Sequence, residues 1–129
     1  MSSYADVELR VIQWAKDRMI LQNGKPIGQA RKTLEEAGEL LEGMTQITLL
    51  REMEKAIPGL ADNPQFQSFK LKAHDASIDA IGDTLVTLIV GAATIDVDVV
   101  TCLYSAYEQI KDRKGHLNAD GVFVKEVKA

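Results

Sequence analysis

The chain has 129 residues, of which 46% are hydrophobic and 26% charged, and a formal net charge of −4. This is enough chain to bury a core as a single domain over residues 1–129 without disulfides or a structural metal, and the balance excludes wholesale disorder. A pI near 5.1 speaks against binding to a nucleic-acid backbone, which requires a basic surface, so a phosphate-bearing partner would need a divalent cation in between.

The first predicted element is an amphipathic helix over residues 4–22, in which Val7, Val11, Trp14, Arg18 and Leu21 recur at helical spacing. Asn23-Gly24 and the extended step into Pro26 stop it. From Ile27 to about Lys55 no proline intervenes, which predicts a long second helix weakened only at Gly38 and Gly43. The stretch IPGLADNPQ, residues 57–65, holds two prolines, a glycine and Asp-Asn, and reads as the clearest loop. Residues 68–95 form a third predicted helix. Asp96 or Asp98 could cap a fourth, with Val100, Leu103, Tyr107 and Ile110 on one face before Gly115 closes it. After it, HLNADGVFVK carries a turn signal and alternating residues, which predicts a short hairpin or extended arm.

Four helices and almost no strand define an all-α class, a four-helix bundle with a mostly aliphatic core. The longest apolar stretch, TLVTLIVGAATI at residues 84–95, falls well short of the roughly 20 residues of a membrane span and reads as a buried helix. Cys102 is the sole cysteine, so no intramolecular disulfide forms, and the start MSSYADVELR lacks the pattern of a signal peptide. Both point to a cytoplasmic protein with no membrane association.

Two acidic stretches carry the chemistry: LEEAGELLEG at residues 34–43 and DASIDAIGD at residues 75–83. At 100° per residue Glu35, Glu39 and Glu42 share one stripe of the second helix, with Leu34, Ala37, Leu41 and Met44 on the other side. Alone, this is a solvated face. Glu36 sits at the boundary and could converge with Glu39 on a cation. On the third helix Asp75, Asp79 and Asp83 fall on a stripe that continues into Val86 and Val90, on an element apolar nearly all round beyond residue 84, so these carboxylates are expected to be buried. A buried ionised carboxylate needs a cation to offset its desolvation. A ligand set made of carboxylate oxygens suits Mg²⁺ or Mn²⁺ and is poor for zinc.

Other chemistries fit less well. The Glu-x-x-His pairs of di-iron bundles are absent, and His74-Asp75 lacks the upstream histidine of HD phosphohydrolases. There is no GxxxxGK[ST] and no GxGxxG. Cys102 lies in an apolar helix, where a cysteine is more often core than nucleophile.

The pattern resembles the MazG-like all-α nucleoside triphosphate pyrophosphohydrolases, in the small, phage-type form. Glu35-Glu36-Ala37-Gly38-Glu39 matches the EExxE motif of that family, preceded by Gln29 and Lys32 as a Q-x-x-K lead-in. The ExxD motif of the following helix is altered: Ala80 stands three residues before Asp83 and the acid is Asp79, giving the D-x-x-G-D form of small members. The ending KDRKGHLNADGVFVKE is also similar, so the likeness runs from Trp14 to Val124.

The resemblance implies Mg²⁺-dependent cleavage of a (d)NTP between the α and β phosphates to (d)NMP and pyrophosphate, controlling the nucleotide pool. It implies two or three Mg²⁺ ions per site, with Mn²⁺ able to substitute. Glu36, Glu39 and Asp83 would be the metal ligands, and Asp79 a ligand or a hydrogen-bond acceptor behind them. Glu35, a further candidate ligand, would orient or deprotonate the attacking water. Lys32, Lys111, Arg113 and Lys114 would hold phosphate oxygens, and Trp14 with Ile12 would pack on the base, its large stacking surface suiting a purine dNTP such as dGTP. A homo-dimer or homo-tetramer is implied, in the host cytoplasm if the protein is phage-encoded. The altered second motif leaves an alternative, a catalytically silent helical module that binds nucleotide or protein.

Overall fold

The computed structural model describes residues 2–127. The described residues are 75% helical, and among them five α-helices, a single 3-10 turn and a two-stranded antiparallel sheet follow one another. The chain divides into two compact units, Met1–Asp96 and Val97–Ala129.

In the first unit α1 (Tyr4–Asp17) is capped by Ser3, whose side chain accepts from the Asp6 amide. The single helix expected over residues 4–22 breaks here. Met19 takes a left-handed conformation (φ 61°) and the one-turn α2 (Ile20–Asn23) restarts beyond it. Neither glycine nor proline marks that break in the sequence.

Helix α3 (Pro26–Ala56) and helix α4 (Pro64–Thr94) have 31 residues each, about 46 Å at 1.5 Å per residue. Pro26 and Pro64 occupy the first turns, where a missing amide costs nothing. Asn63 caps α4 by accepting from the amides of Gln65 and Phe66, each at 3.0 Å. That cap starts α4 four residues before the expected position, inside what reads as loop, and leaves a connection containing the 3-10 turn Leu60–Asp62.

The two long helices run antiparallel, as their cross-helix neighbours show. Gln29 lies against Gly91, Thr33 against Thr87, Gly43 against Ser77, and Glu54 against Lys70. The contact face is built from small residues. On α4, Ala73, Ser77, Ala80 and Thr87 are buried, and on α3 Glu36 and Gly43 are the buried residues. A Cβ at Gly43 would stand 2.6 Å from Ser77 Oγ and 3.4 Å from Ser77 Cα, so the backbones meet there with no room for a side chain. Helix α1 packs on α4, burying Glu8 and Ala15.

Two expectations about faces are corrected. Leu34 and Leu41, assigned to the interior side of the acidic helix, are 75% and 69% exposed, while Glu36 is 7% exposed. Asp75, Asp79 and Asp83 are exposed rather than buried. Small residues allow closer approach than leucines, so the helices meet where Gly43 faces Ser77 and Thr33 faces Thr87, and Leu34 and Leu41 turn outward, while of the large hydrophobics of α4 Phe66, Ile89 and Val90 are buried. Among the described residues α4 alone is long and apolar enough to cross a membrane by length and composition. Its length exceeds the 84–95 stretch read from hydropathy because the helix starts at Pro64.

In the second unit α5 (Val99–Ile110) is capped by Asp98, which accepts from the Thr101 amide at 2.8 Å and the Thr101 hydroxyl at 2.9 Å. Asp96, the other candidate cap, is left-handed (φ 59°). Strands β1 (Gly115–Leu117) and β2 (Phe123–Lys125) pair antiparallel, with His116 opposite Val124. Their turn is tied by Asn118 Oδ1, which accepts from the amides of Asp120 and Val122, and Gly121 supplies a positive φ of 77°.

Candidate metal centre

Gly43 sets the depth at which α3 lies against α4, and two turns before it the helix presents Glu36 to the same face. Of the three motif glutamates only Glu36 is buried there; its side chain keeps 10% of its accessible area. Glu39, three residues on, and Asp83 of α4 lie at the margin of the contact and remain open to solvent. Each of the three offers one carboxylate oxygen within 4.8 Å of the other two. The three carboxylates the resemblance picks as ligands are thus brought together from two helices.

The electrostatics of this cluster are under-compensated. Glu36 Oε1 is 3.3 Å from Lys32 Nζ, but Glu36 Oε2 is buried with no hydrogen-bond partner. A buried acceptor left unmatched costs free energy, more so when it carries charge. Glu39 feels the same shortage of positive charge. Its carboxyl is pushed above the ordinary value of 4.5, first by sharing a hydrogen bond with Glu36, then by the charge of Glu36, by desolvation, and by the charges of Glu35 and Asp83. A proton on Glu39 or a cation near the oxygens would offset this crowding of negative charge.

The remaining expected residues are placed as follows. Glu35 is not part of the triad; it is 3.2 Å from Lys32 Nζ, with its side chain 60% exposed. Asp79 is exposed and not part of the triad, one turn before Asp83, whereas Ala80 is packed in the helix contact at 2% exposure. Lys32 is held by both Glu35 and Glu36, and these bonds raise the pKa of its ammonium, Glu35 first and Glu36 second. Lys111, Arg113 and Lys114 belong to the second unit. There Lys111 Nζ pairs with Glu108 at 2.8 Å, and Arg113 and Lys114 line a cleft with Lys125 and Glu126.

A cleft of about 460 Å³ adjoins the triad, lined by Val7, Arg10, Val11, Trp14, Asp83 and Val86. Asp83 therefore serves both features. Trp14 is 43% exposed, and the Arg18 guanidinium sits 4.7 Å from its ring centroid while donating to the Trp14 carbonyl at 3.3 Å. One indole face is thus covered by a cation. Ile12 is half-buried and outside the cleft lining; Val11 takes its place.

Two residues escape sequence reading. Glu8 is 7% exposed on α1, although the apolar pattern of that helix directs attention to Val7 and Val11. Arg10 is not singled out by the sequence pattern, and its spacing to Trp14 (i, i+4) is the only sequence signal that places both on one face of α1. A second cleft of about 400 Å³, lined by Ile47, Leu50, Arg51, Gln67, Lys70, Leu71 and His74, lies further along the same two helices and contains no carboxylate.

Comparison with protein-family models, with curated proteins and with solved structures finds no match to this chain.

Proposed function

We propose that the chain is a MazG-like nucleoside triphosphate pyrophosphohydrolase that cleaves a (d)NTP between the α and β phosphates, releasing (d)NMP and pyrophosphate. The observation that carries this reading is the meeting of Glu36, Glu39 and Asp83 around a buried, unmatched carboxylate oxygen. A solvated acidic face has no need to bury Glu36. The donor set is all carboxylate, which fits Mg²⁺, with Mn²⁺ as substitute, and two or three ions with Glu35 and Asp79 at hand.

Glu36, Glu39 and Asp83 would hold the metal. When bound, the metal neutralises the triphosphate, stabilises charge developing at phosphorus and lowers the pKa of a bound water. The chain's own part is to fix these oxygens on two rigid helices, to bind the nucleoside end against Trp14, and to accept a proton from the attacking water at Glu35. Lys32 tempers the negative charge of the cluster, and Lys111, Arg113 and Lys114 are candidates to meet phosphate oxygens. A four-helix bundle, a homo-dimer or homo-tetramer, a cytoplasmic site of action and a preference for a purine dNTP such as dGTP belong to the same proposal. Exposed Leu34, Leu41, Ile78, Leu85 and Leu88 supply apolar surface for such an assembly.

The test is incubation with each of the eight nucleotides and Mg²⁺, with products resolved. Pyrophosphate and monophosphate are expected. Orthophosphate with nucleoside diphosphate sinks the α,β cleavage.

One observation favours a second reading, a catalytically silent binding module. The position three residues before Asp83 is occupied by packed Ala80, and Asp79 is not part of the triad. Titration calorimetry with Mg²⁺ and a nonhydrolysable dNTP separates the readings from a mere acidic face: coupled binding without turnover selects the silent module.

A further inference from the structure

An acidic centre that takes a polyanion needs positive charge of its own beside the metal. Lys32 is placed for this by sequence but spent by structure, since its ammonium is 3.2 Å from Glu35 and 3.3 Å from Glu36. The cleft that contains Asp83 holds one other cation. Arg10 lines it together with Trp14 and the apolar Val7, Val11 and Val86. Among the described residues Arg10 forms no ion pair, hydrogen bond or ring contact, unlike Arg18, which is folded over Trp14.

The chemistry of this position is selective. A guanidinium presents a planar fork of donors that matches two oxygens of a phosphate, and it stays charged at any working pH. It is exposed, so its donors are open to solvent and accessible to a ligand. On α1, Arg10 and Trp14 are one turn apart, so their side chains issue from the same face. Asp83 ties that face to the metal triad. The guanidinium thus lines the same cleft as the indole and the Asp83 carboxylate of the triad.

We infer that Arg10 is the phosphate-gripping residue of this site, closing on the phosphate chain of a nucleotide whose base end lies at Trp14. The assignment rests on the nucleotide reading given above. It gives α1 a part in substrate binding beyond packing, and it assigns to Arg10 the contact that the EExxE lead-in would assign to Lys32.

The experiment compares wild type, Arg10→Met and Arg10→Lys by equilibrium binding, using quenching of the single tryptophan. The probes are a nonhydrolysable dNTP with Mg²⁺ and the matching phosphate-free deoxynucleoside, with circular dichroism to confirm folding. Arg10→Met is expected to weaken the triphosphate about 10–100-fold, the range of a charge-assisted pair of hydrogen bonds. The deoxynucleoside should stay within threefold, and Arg10→Lys should recover part of the loss. Equal triphosphate affinity in wild type and Arg10→Met overturns the inference, as does an equal loss for the phosphate-free probe, which places Arg10 at the base or sugar. If the wild type binds the nonhydrolysable dNTP but does not turn over the corresponding natural dNTP, the hydrolase reading fails while these affinities still decide Arg10. A wild type that binds no nucleotide refutes both.

Discussion

Gly43 of α3 lies directly against Ser77 of α4, so close that a Cβ on the glycine would come within 2.6 Å of the serine hydroxyl. That hydroxyl is already committed to the Ala73 carbonyl at 2.9 Å. The relationship fixes the spacing of the helix pair, and with it the depth to which Glu36 sinks.

Gly43→Val is therefore expected to destabilise the fold by about 2–3 kcal/mol, the cost of overpacking a close helix contact. Gly38, in the same helix and in the EExxE motif, has open space at its Cβ position. Gly38→Ala should stabilise by about 0.5–1 kcal/mol through helix propensity. Urea denaturation midpoints measure both, and equal effects at the two positions would contradict the packing account.

Metal binding should show in stability as well as in turnover. Mg²⁺ is expected to raise the melting temperature of the wild type, because a ligand bound only to the native state shifts the folding equilibrium. EDTA should reverse the shift. Glu39→Gln and Asp83→Asn should each lower Mg²⁺ affinity more than tenfold and remove turnover while the helical circular dichroism persists. A Glu39→Gln protein with normal Mg²⁺ affinity would show that Glu39 is not a ligand.

The pH dependence has a definite sign. Glu39 holds its proton more tightly in the folded chain, owing to Glu36 first and then to desolvation, Glu35 and Asp83, while the cation Lys32 is paired with Glu36 at 3.3 Å. The resulting stability is present below the ordinary value of 4.5 and lost as pH rises through the folded value. Asp98 acts oppositely. Its pKa is lowered by bonds from the Thr101 amide and hydroxyl, so it stabilises above 3.8 and loses this as pH falls through its folded value. Without metal, Glu39→Gln should gain stability relative to wild type as pH rises from about 4 toward 7. Denaturation midpoints across that range provide the check; a pH-independent difference between the two proteins would be inconsistent with the crowded cluster.

Lys32→Met isolates the role of the internal cation. It removes the charge that Glu35 and Glu36 share, so Mg²⁺ in the absence of nucleotide should bind about threefold or more tightly, as expected when a competing positive charge leaves an acidic site. Calorimetric titration decides. Weaker Mg²⁺ binding would mean that Lys32 orders the glutamates instead of competing for them.

The order of the helices, the hairpin and the acidic motifs were legible in the sequence because they depend on local signals. Asp98, one of two capping candidates, caps α5, and the predicted turn at Asn118–Gly121 is present. The start of α4 was hidden because Asn63-Pro64 looks like loop chemistry until the proline is recognised as a first-turn residue. The break at Met19 carries no glycine or proline at all. The larger misreading concerned faces. Hydrophobic periodicity points inward at Leu34 and Leu41, but the helices meet through Gly43, Ala73, Ser77 and Ala80, whose contribution is proximity and not hydrophobic bulk. Which glutamate turns inward depends on that contact, which is why the sequence singles out EExxE but only the packed helices separate buried Glu36 and marginal Glu39 from outlying Glu35.

The antiparallel pairing of α3 and α4 has a consequence for the order of events during synthesis. Glu36 and Glu39 leave the ribosome a few seconds before Asp83, at about 5–20 residues per second. Until α4 folds back, the nascent chain carries crowded like charges with no partner helix to hold a cation. The centre comes into being only as the long hairpin zips shut, and a divalent ion captured at that moment would act as a latch on a contact between distant parts of the chain.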